Sequence, residues 1–130
     1  MNIERFLSRG QCTNGDGWMV GYLTPSYYGD MYITDPDGKP NKRVMHVKAH
    51  TIGQCTGIKD KRGKLIFEGD IMQHTTQDGE KCDPYKVSWI RNGWMIDFGY
   101  DAEYADHIHD DEIIGNTHDN PELLEVSADE

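Results

Sequence analysis

Asn92-Gly93 lies between two β-rich runs in YKVSWIRNGWMIDFGY, residues 85–100, and no other feature limits the fold of this chain as much. An Asn-Gly pair accepts the positive φ angles of a type I′ turn, so it joins antiparallel strands through a two-residue loop and fixes their register. With Asn92-Gly93 as the loop, Arg91 is expected opposite Trp94, Trp89 opposite Ile96, Val87 opposite Phe98 and Tyr85 opposite Tyr100. Tyr85, Val87, Trp89, Trp94, Ile96, Phe98 and Tyr100 then share the core face. Lys86, Ser88, Asp97 and Gly99 share the wet face with Ile90 and Met95. Trp89 is expected to be a buried aromatic.

The rest of the chain reads the same way. WMVGYL (18–23) and MYIT (31–34) read as strands, DPDGKP (35–40) as a turn, and RVMHVKAHTIGQC (43–55) as one or two more strands. Turn formers recur along the chain and no stretch sustains a 3.6-residue apolar period, which predicts a mainly β, small antiparallel domain. NPELLEV (120–126) predicts a short C-terminal helical turn, with Asn120 as N-cap and Pro121 at the first position. A chain of 130 residues fits one domain, 1–130, and 36% hydrophobic residues with three Trp and seven Tyr supply one core. No apolar run approaches the length of a membrane span, and residues 1–10 lack the apolar centre of a signal peptide, so no membrane association and a cytoplasmic location are expected. Cys12, Cys55 and Cys82 lie far apart, and their odd count with no C-x-x-C spacing fits neither a disulfide framework nor a zinc site, so they are expected as reduced thiols in or near the core.

Charge is unevenly divided. All 13 Lys and Arg precede residue 92, against 11 Asp and Glu, whereas residues 92–130 contain 12 Asp and Glu and no Lys or Arg. The formal charge is therefore +2 before residue 92 and −12 after it. An acidic surface repels phosphate at long range, which argues against nucleic acid and suits either solubility or a basic protein partner. A second copy of the chain is one such partner, its basic turn meeting the acidic end of its neighbour.

TGIKDKRGKLIFEGDIM, residues 56–72, raises the question of a phosphate or metal site. Asp60-Lys61-Arg62-Gly63 reads as a turn, Leu65 and Phe67 as one face of the next strand, and Gly69 as a bend before Ile71. The phosphate-loop spacing is absent, and no long helix follows. The stretch is a corner.

The same stretch resembles the signature of the YopX family. Gly53, Gln54, Thr56, Gly57, Lys59, Asp60, Lys61, Gly63, Lys64, Glu68, Gly69, Asp70 and Ile71 match it, with Ile58 in place of the usual Leu. DGWMVGYL (16–23) is similar to the family's Trp-x-x-Gly-Tyr-Leu opening. EIIGNTHDNPELL (112–124), with Gly115, Asn116, Asn120 and Pro121, is similar to its ending. The resemblance implies a small phage- or prophage-encoded protein with a β-rich fold whose second half is an SH3-like barrel. It brings no catalytic residues, no cofactor and no established activity. Cys55, where the family often has an aromatic, and the run DHIHDDE depart from the pattern.

Three constellations bear on chemistry. In HIHDDE (107–112), His107 and His109 would share a strand face with Asp110 nearby, which makes them weak candidates for a metal site lacking a third ligand from elsewhere. A cysteine nucleophile would need His46, His50 or His74 brought to it by the fold. Lys59, Lys61, Arg62 and Lys64 read as a solvated hairpin tip rather than a phosphate contact, with Asp60 among them. With no catalytic set, the expected function is a non-enzymatic accessory protein that binds another protein of phage or host. The alternatives are a metal-binding protein or hydrolase built on His107, His109 and Asp110, and a nucleic-acid-binding barrel.

Overall fold

The computed structural model describes residues 3–36, 40, 42–90, 93–97, 102–104 and 107–125. The chain is mainly β, in two antiparallel sheets, and among the described residues helical content is confined to short 3-10 turns. It packs as two compact units, residues 1–57 and 58–130, each with its own cluster of buried apolar side chains.

The first unit contains β1 (Ser8–Gln11), β2 (Trp18–Pro25), β3 (Met31–Thr34), β4 (Val44–Val47) and the start of β5 (Gly53–Lys59), in the order β4-β3-β2-β1-β5. The alternation expected of strands with one buried face fixes the inner side. Cys12, Met19, Ile33 and Val47 form its core, with Met31, Met45 and Ile52 packed against them. Cys12 bridges to Val47, and the Thr13 N–H donates to the His46 carbonyl at 3.0 Å. β4 therefore closes back onto the end of β1 and leaves less open sheet edge. Gly21 is where β2 comes nearest β3: a Cβ there would stand 2.0 Å from the Thr34 carbonyl oxygen. The Gly of the Trp-x-x-Gly-Tyr-Leu motif is thus required by strand packing.

The second unit holds β6 (Leu65–Phe67), β7 (Asp70–Gln73), β8 (Tyr85–Ile90), β9 (Gly93–Asp97), β10 (Ala102–Tyr104) and β11 (Glu112–Asn116). Its five-stranded sheet runs β10-β9-β8-β7-β11. Ile66, Met72, Tyr85, Val87, Ile96 and Ile108 form the core, with Ile58, Trp94 and Ile113 against it. The β6 residues buried most deeply are Ile66 and Phe67, while Leu65 is half-buried.

The β8–β9 hairpin exists, but its register differs from the expected one by two residues. Ile90 pairs with Gly93, Trp89 with Trp94, Ser88 with Met95, Val87 with Ile96 and Lys86 with Asp97. A two-residue slip keeps every side chain on its face, so burial cannot choose between the registers. Cross-strand pairs can. The observed register sets the Trp89 and Trp94 rings edge to face at 5.0 Å and puts Lys86 Nζ 3.6 Å from the Asp97 carboxylate. Trp89 is 51% exposed, which overturns its expected burial. Arg91, Asn92, Phe98, Gly99 and Tyr100 lie outside the described residues, as does the centre of the 35–40 turn.

Pro121–Leu124 forms a 3-10 turn at the expected place. Asn120 does not cap it with its side chain, however. Its Oδ1 accepts instead from the Asn116 N–H at 3.2 Å. Cys12 and Cys55 are buried, and Cys82 is exposed, contrary to the core placement expected of it.

Candidate functional site

The motif residues of 53–71 and 115–121 converge on backbone hydrogen bonds. Asp60 is buried, and its Oδ1 accepts the N–H groups of Arg62 and Lys64, both at 2.9 Å. Its Oδ2 accepts the N–H of Ile113 at 3.0 Å, tying the turn to β11. Burial alone would raise the pKa of Asp60; the three N–H donors, together with the Lys64 charge, outweigh it and hold the carboxyl below its ordinary value. Asp70, also buried, accepts the Phe67 N–H at 2.7 Å. Gly69 donates to the Val87 carbonyl and accepts from the Thr117 N–H, each at 2.8 Å. Gly115 faces Asn120 so closely that a Cβ would stand 2.6 Å from Asn120 Oδ1. Asn116 Oδ1 accepts the N–H groups of His118 and Asp119.

Of the remaining signature residues, Gly53, Thr56 and Ile71 are buried, Gly57 and Glu68 are half-buried, and Gln54 and Lys59 are exposed. Lys61 Nζ and Arg62 Nη2 lie 3.8 and 3.3 Å from the Glu112 carboxylate. Two of the four cations of the basic turn thus face an acid of the same chain.

The 107–112 run is not a strand over its first part. Ile108–Asp110 is a 3-10 turn with Ile108 fully buried, so His107 and His109 do not alternate along a strand. His109 and Asp110 are exposed and 3.5 Å apart. Among the described residues no group of three His, Cys, Asp or Glu side chains is placed to hold a metal ion. The strand-face geometry expected for His107, His109 and Asp110 is therefore corrected.

What the fold assembles instead is a network around Asp111, whose side chain is 1% exposed. One carboxylate oxygen accepts the Tyr85 hydroxyl, and the other lies 2.7 Å from His74 Nδ1. The Asp111 carbonyl also accepts the Lys61 N–H at 3.0 Å. Tyr85 is pushed well above its ordinary pKa, first by burial and then by its hydrogen bond and proximity to the Asp111 charge. His74, 49% exposed, lines a pocket of about 270 Å³ together with His107, Asp110 and Asp111. In the sequence His74 is no more than a base that the fold would have to bring to a cysteine, and Tyr85 is plain core. Nothing local joins positions 74, 85 and 111, so only the strand topology could have done so. Cys82 is brought to His74 by backbone alone, its N–H donating to the His74 carbonyl at 2.9 Å.

The first unit presents a second feature. Tyr27 and Tyr28 are 96% and 88% exposed at the turn between β2 and β3, their rings edge to face at 5.3 Å. The turn is held by Ser26: its Oγ accepts the Asp30 N–H at 3.1 Å, and its N–H donates to the Asp30 carbonyl at 2.7 Å. On the outer face of β2, Val20 and Tyr22 are also exposed, and Arg9 lies over the Trp18 ring at 5.1 Å. A signal was available in the sequence, since two adjacent tyrosines in a turn cannot both reach a core.

The solved structures with this architecture include the crystal structure of protein yopX from Bacillus subtilis, at 20% identity and a TM-score of 0.60, covering 93% of this chain and 99% of that one. The crystal structure of protein EF1440 from Enterococcus faecalis matches at 20% identity and a TM-score of 0.53, covering 92% of this chain and 96% of that one. Among curated proteins none matches. The YopX protein family matches residues 24–125, most of the sequence, and this chain belongs to it.

Proposed function

We propose that this protein is a non-enzymatic accessory protein of phage or prophage that acts in the bacterial cytoplasm by binding another protein. The observation that carries this reading is the Tyr27–Tyr28 pair, nearly fully exposed on a turn fixed by Ser26. Large aromatics at a surface are among the side chains that dominate protein–protein binding energy, because they bury much area at little entropic cost. The three family motifs support the phage association. The charge of residues 92–130 supports a basic partner, of phage or host. Nucleic acid fits poorly with that charge.

The test is a pull-down from phage-infected or lysogenic host cells with the parent chain and with the Tyr27→Ala/Tyr28→Ala variant. The expected outcome is a protein retained by the parent in stoichiometric amount and lost from the variant, whose far-UV circular dichroism is unchanged. Retention of the same protein by both would remove the tyrosine turn from the binding surface.

A further inference from the structure

We infer that the turn 26–30 is a receptor for arginine: a protein partner lays guanidinium groups over the Tyr27 and Tyr28 rings and pairs with Asp30. This rests on the reading that the tyrosine turn binds a protein, and it names the chemistry recognised there. The two rings stand edge to face at 5.3 Å, with 85° between their planes, and both are almost wholly in solvent. Faces of both rings are therefore open to a partner. A ring face carries negative potential and attracts a cation, and a guanidinium also stacks flat on it.

Charge selects a cation as the occupant. Residues 10–38 carry Asp16, Asp30, Asp35 and Asp37 with no Lys or Arg, a formal charge of −4. The Asp30 side chain is 56% exposed, and its Oδ1 lies 3.5 Å from His46 Nε2, longer than a good hydrogen bond. Ser26 holds the backbone that carries these groups, its Oγ accepting the N–H of Tyr28 at 3.3 Å as well as that of Asp30. One turn thus presents two rings and a carboxylate to solvent. Arginine suits this set better than lysine, because its planar head stacks on a ring while its N–H edge stays free for a carboxylate. The first unit already seats one guanidinium on an aromatic ring, Arg9 over Trp18.

The probe is a short synthetic peptide of alternating Arg and Ser, titrated into the isotope-labelled full chain and followed by two-dimensional NMR. Versions with Lys or with citrulline, an uncharged isostere, in place of Arg are the controls. The acidic segment 92–130 attracts any cation at long range, so the place of the response decides. The expected result is a shift of the Tyr27, Tyr28, Gly29 and Asp30 amide signals with the Arg peptide, a weaker one with Lys and none with citrulline. Tyr27→Ala/Tyr28→Ala should weaken binding at the turn about fivefold or more, and Asp30→Asn about threefold. Tyr27→Phe/Tyr28→Phe, which keeps both rings, should bind as the parent does. If the double alanine variant does not fold, Tyr27→Ala, at the most exposed ring, decides. Shifts confined to residues 92–130, an equal response to either control, or an alanine variant that binds like the parent overturns the proposal. A cellular protein released by the alanine variant, but held equally by the parent and by Asp30→Asn at low and high salt, leaves the turn a protein site and removes its preference for arginine.

Discussion

Asp60 and Tyr85 both have ionisation shifted by this fold, and they act at opposite ends of the pH scale. Asp60 carries three backbone N–H groups on one buried carboxylate. Hydrogen bonds to a charged group contribute about 1.5–3 kcal/mol each, non-additively, so Asp60→Ala should cost about 3 kcal/mol or more in denaturant unfolding. Because the folded-state pKa of Asp60 is lowered, its contribution is present above the unfolded value, near 3.9, and is lost as pH falls through the lower folded value. Acid titration should therefore show a loss of stability below about pH 4 that Asp60→Asn lacks. Tyr85 has the opposite sign. Its folded pKa is raised, so its contribution is complete below the unfolded value, about 10, and is lost as pH climbs above it. Alkaline melting should reveal that loss, and Tyr85→Phe should remove it. The same change should cost about 1–3 kcal/mol at neutral pH, since it deprives buried Asp111 of a donor.

At the scale of elements, the β8–β9 hairpin shows what sequence could and could not supply. Met95, assigned to the wet face, is buried and Trp89, assigned to the core face, is exposed, but the hairpin's existence followed from alternation and an Asn-Gly pair, because it depends only on local period and turn chemistry. Its register did not follow, because it rests on cross-strand partners, Trp89 with Trp94 and Lys86 with Asp97. The consequence is measurable. Ile96, on the same face and 1% exposed, should cost about 2–5 kcal/mol when cut to Ala. Trp89→Ala should cost only about 1 kcal/mol, the worth of an exposed aromatic pair. Comparable costs in urea unfolding would contradict the observed exposure of Trp89. The 107–112 run failed for a related reason. Alternation placed His107 and His109 on one strand face, but Ile108–Asp110 is a 3-10 turn, where a two-residue period does not hold. The stretch 56–72 reads as a corner for its turn residues, yet its buried acceptors Asp60 and Asp70 could not be told from surface acids in sequence.

For the whole molecule the governing fact is net charge, −10 with all the excess after residue 91. The segment's Asp101, Asp106, Asp129 and Glu130 lie outside the described residues. Glu112 and Asp97 are matched within the chain, by Lys61 and Arg62 and by Lys86. This bears on self-association. A contact made by Lys61 and Arg62 of one copy with the acidic end of another would have to displace the Glu112 pairs. Exposed ion pairs contribute about 0–1 kcal/mol each, so such an exchange gains almost nothing. The same reasoning favours a different, basic protein as partner, one that brings cations of its own rather than borrowing engaged ones. Light scattering therefore should give a monomer mass at both low and high salt. A mass that rises only at low salt would restore the charge-driven contact between copies. An oligomer indifferent to salt would mean that apolar surface, with the exposed aromatics of the first unit as the first candidates, joins the copies.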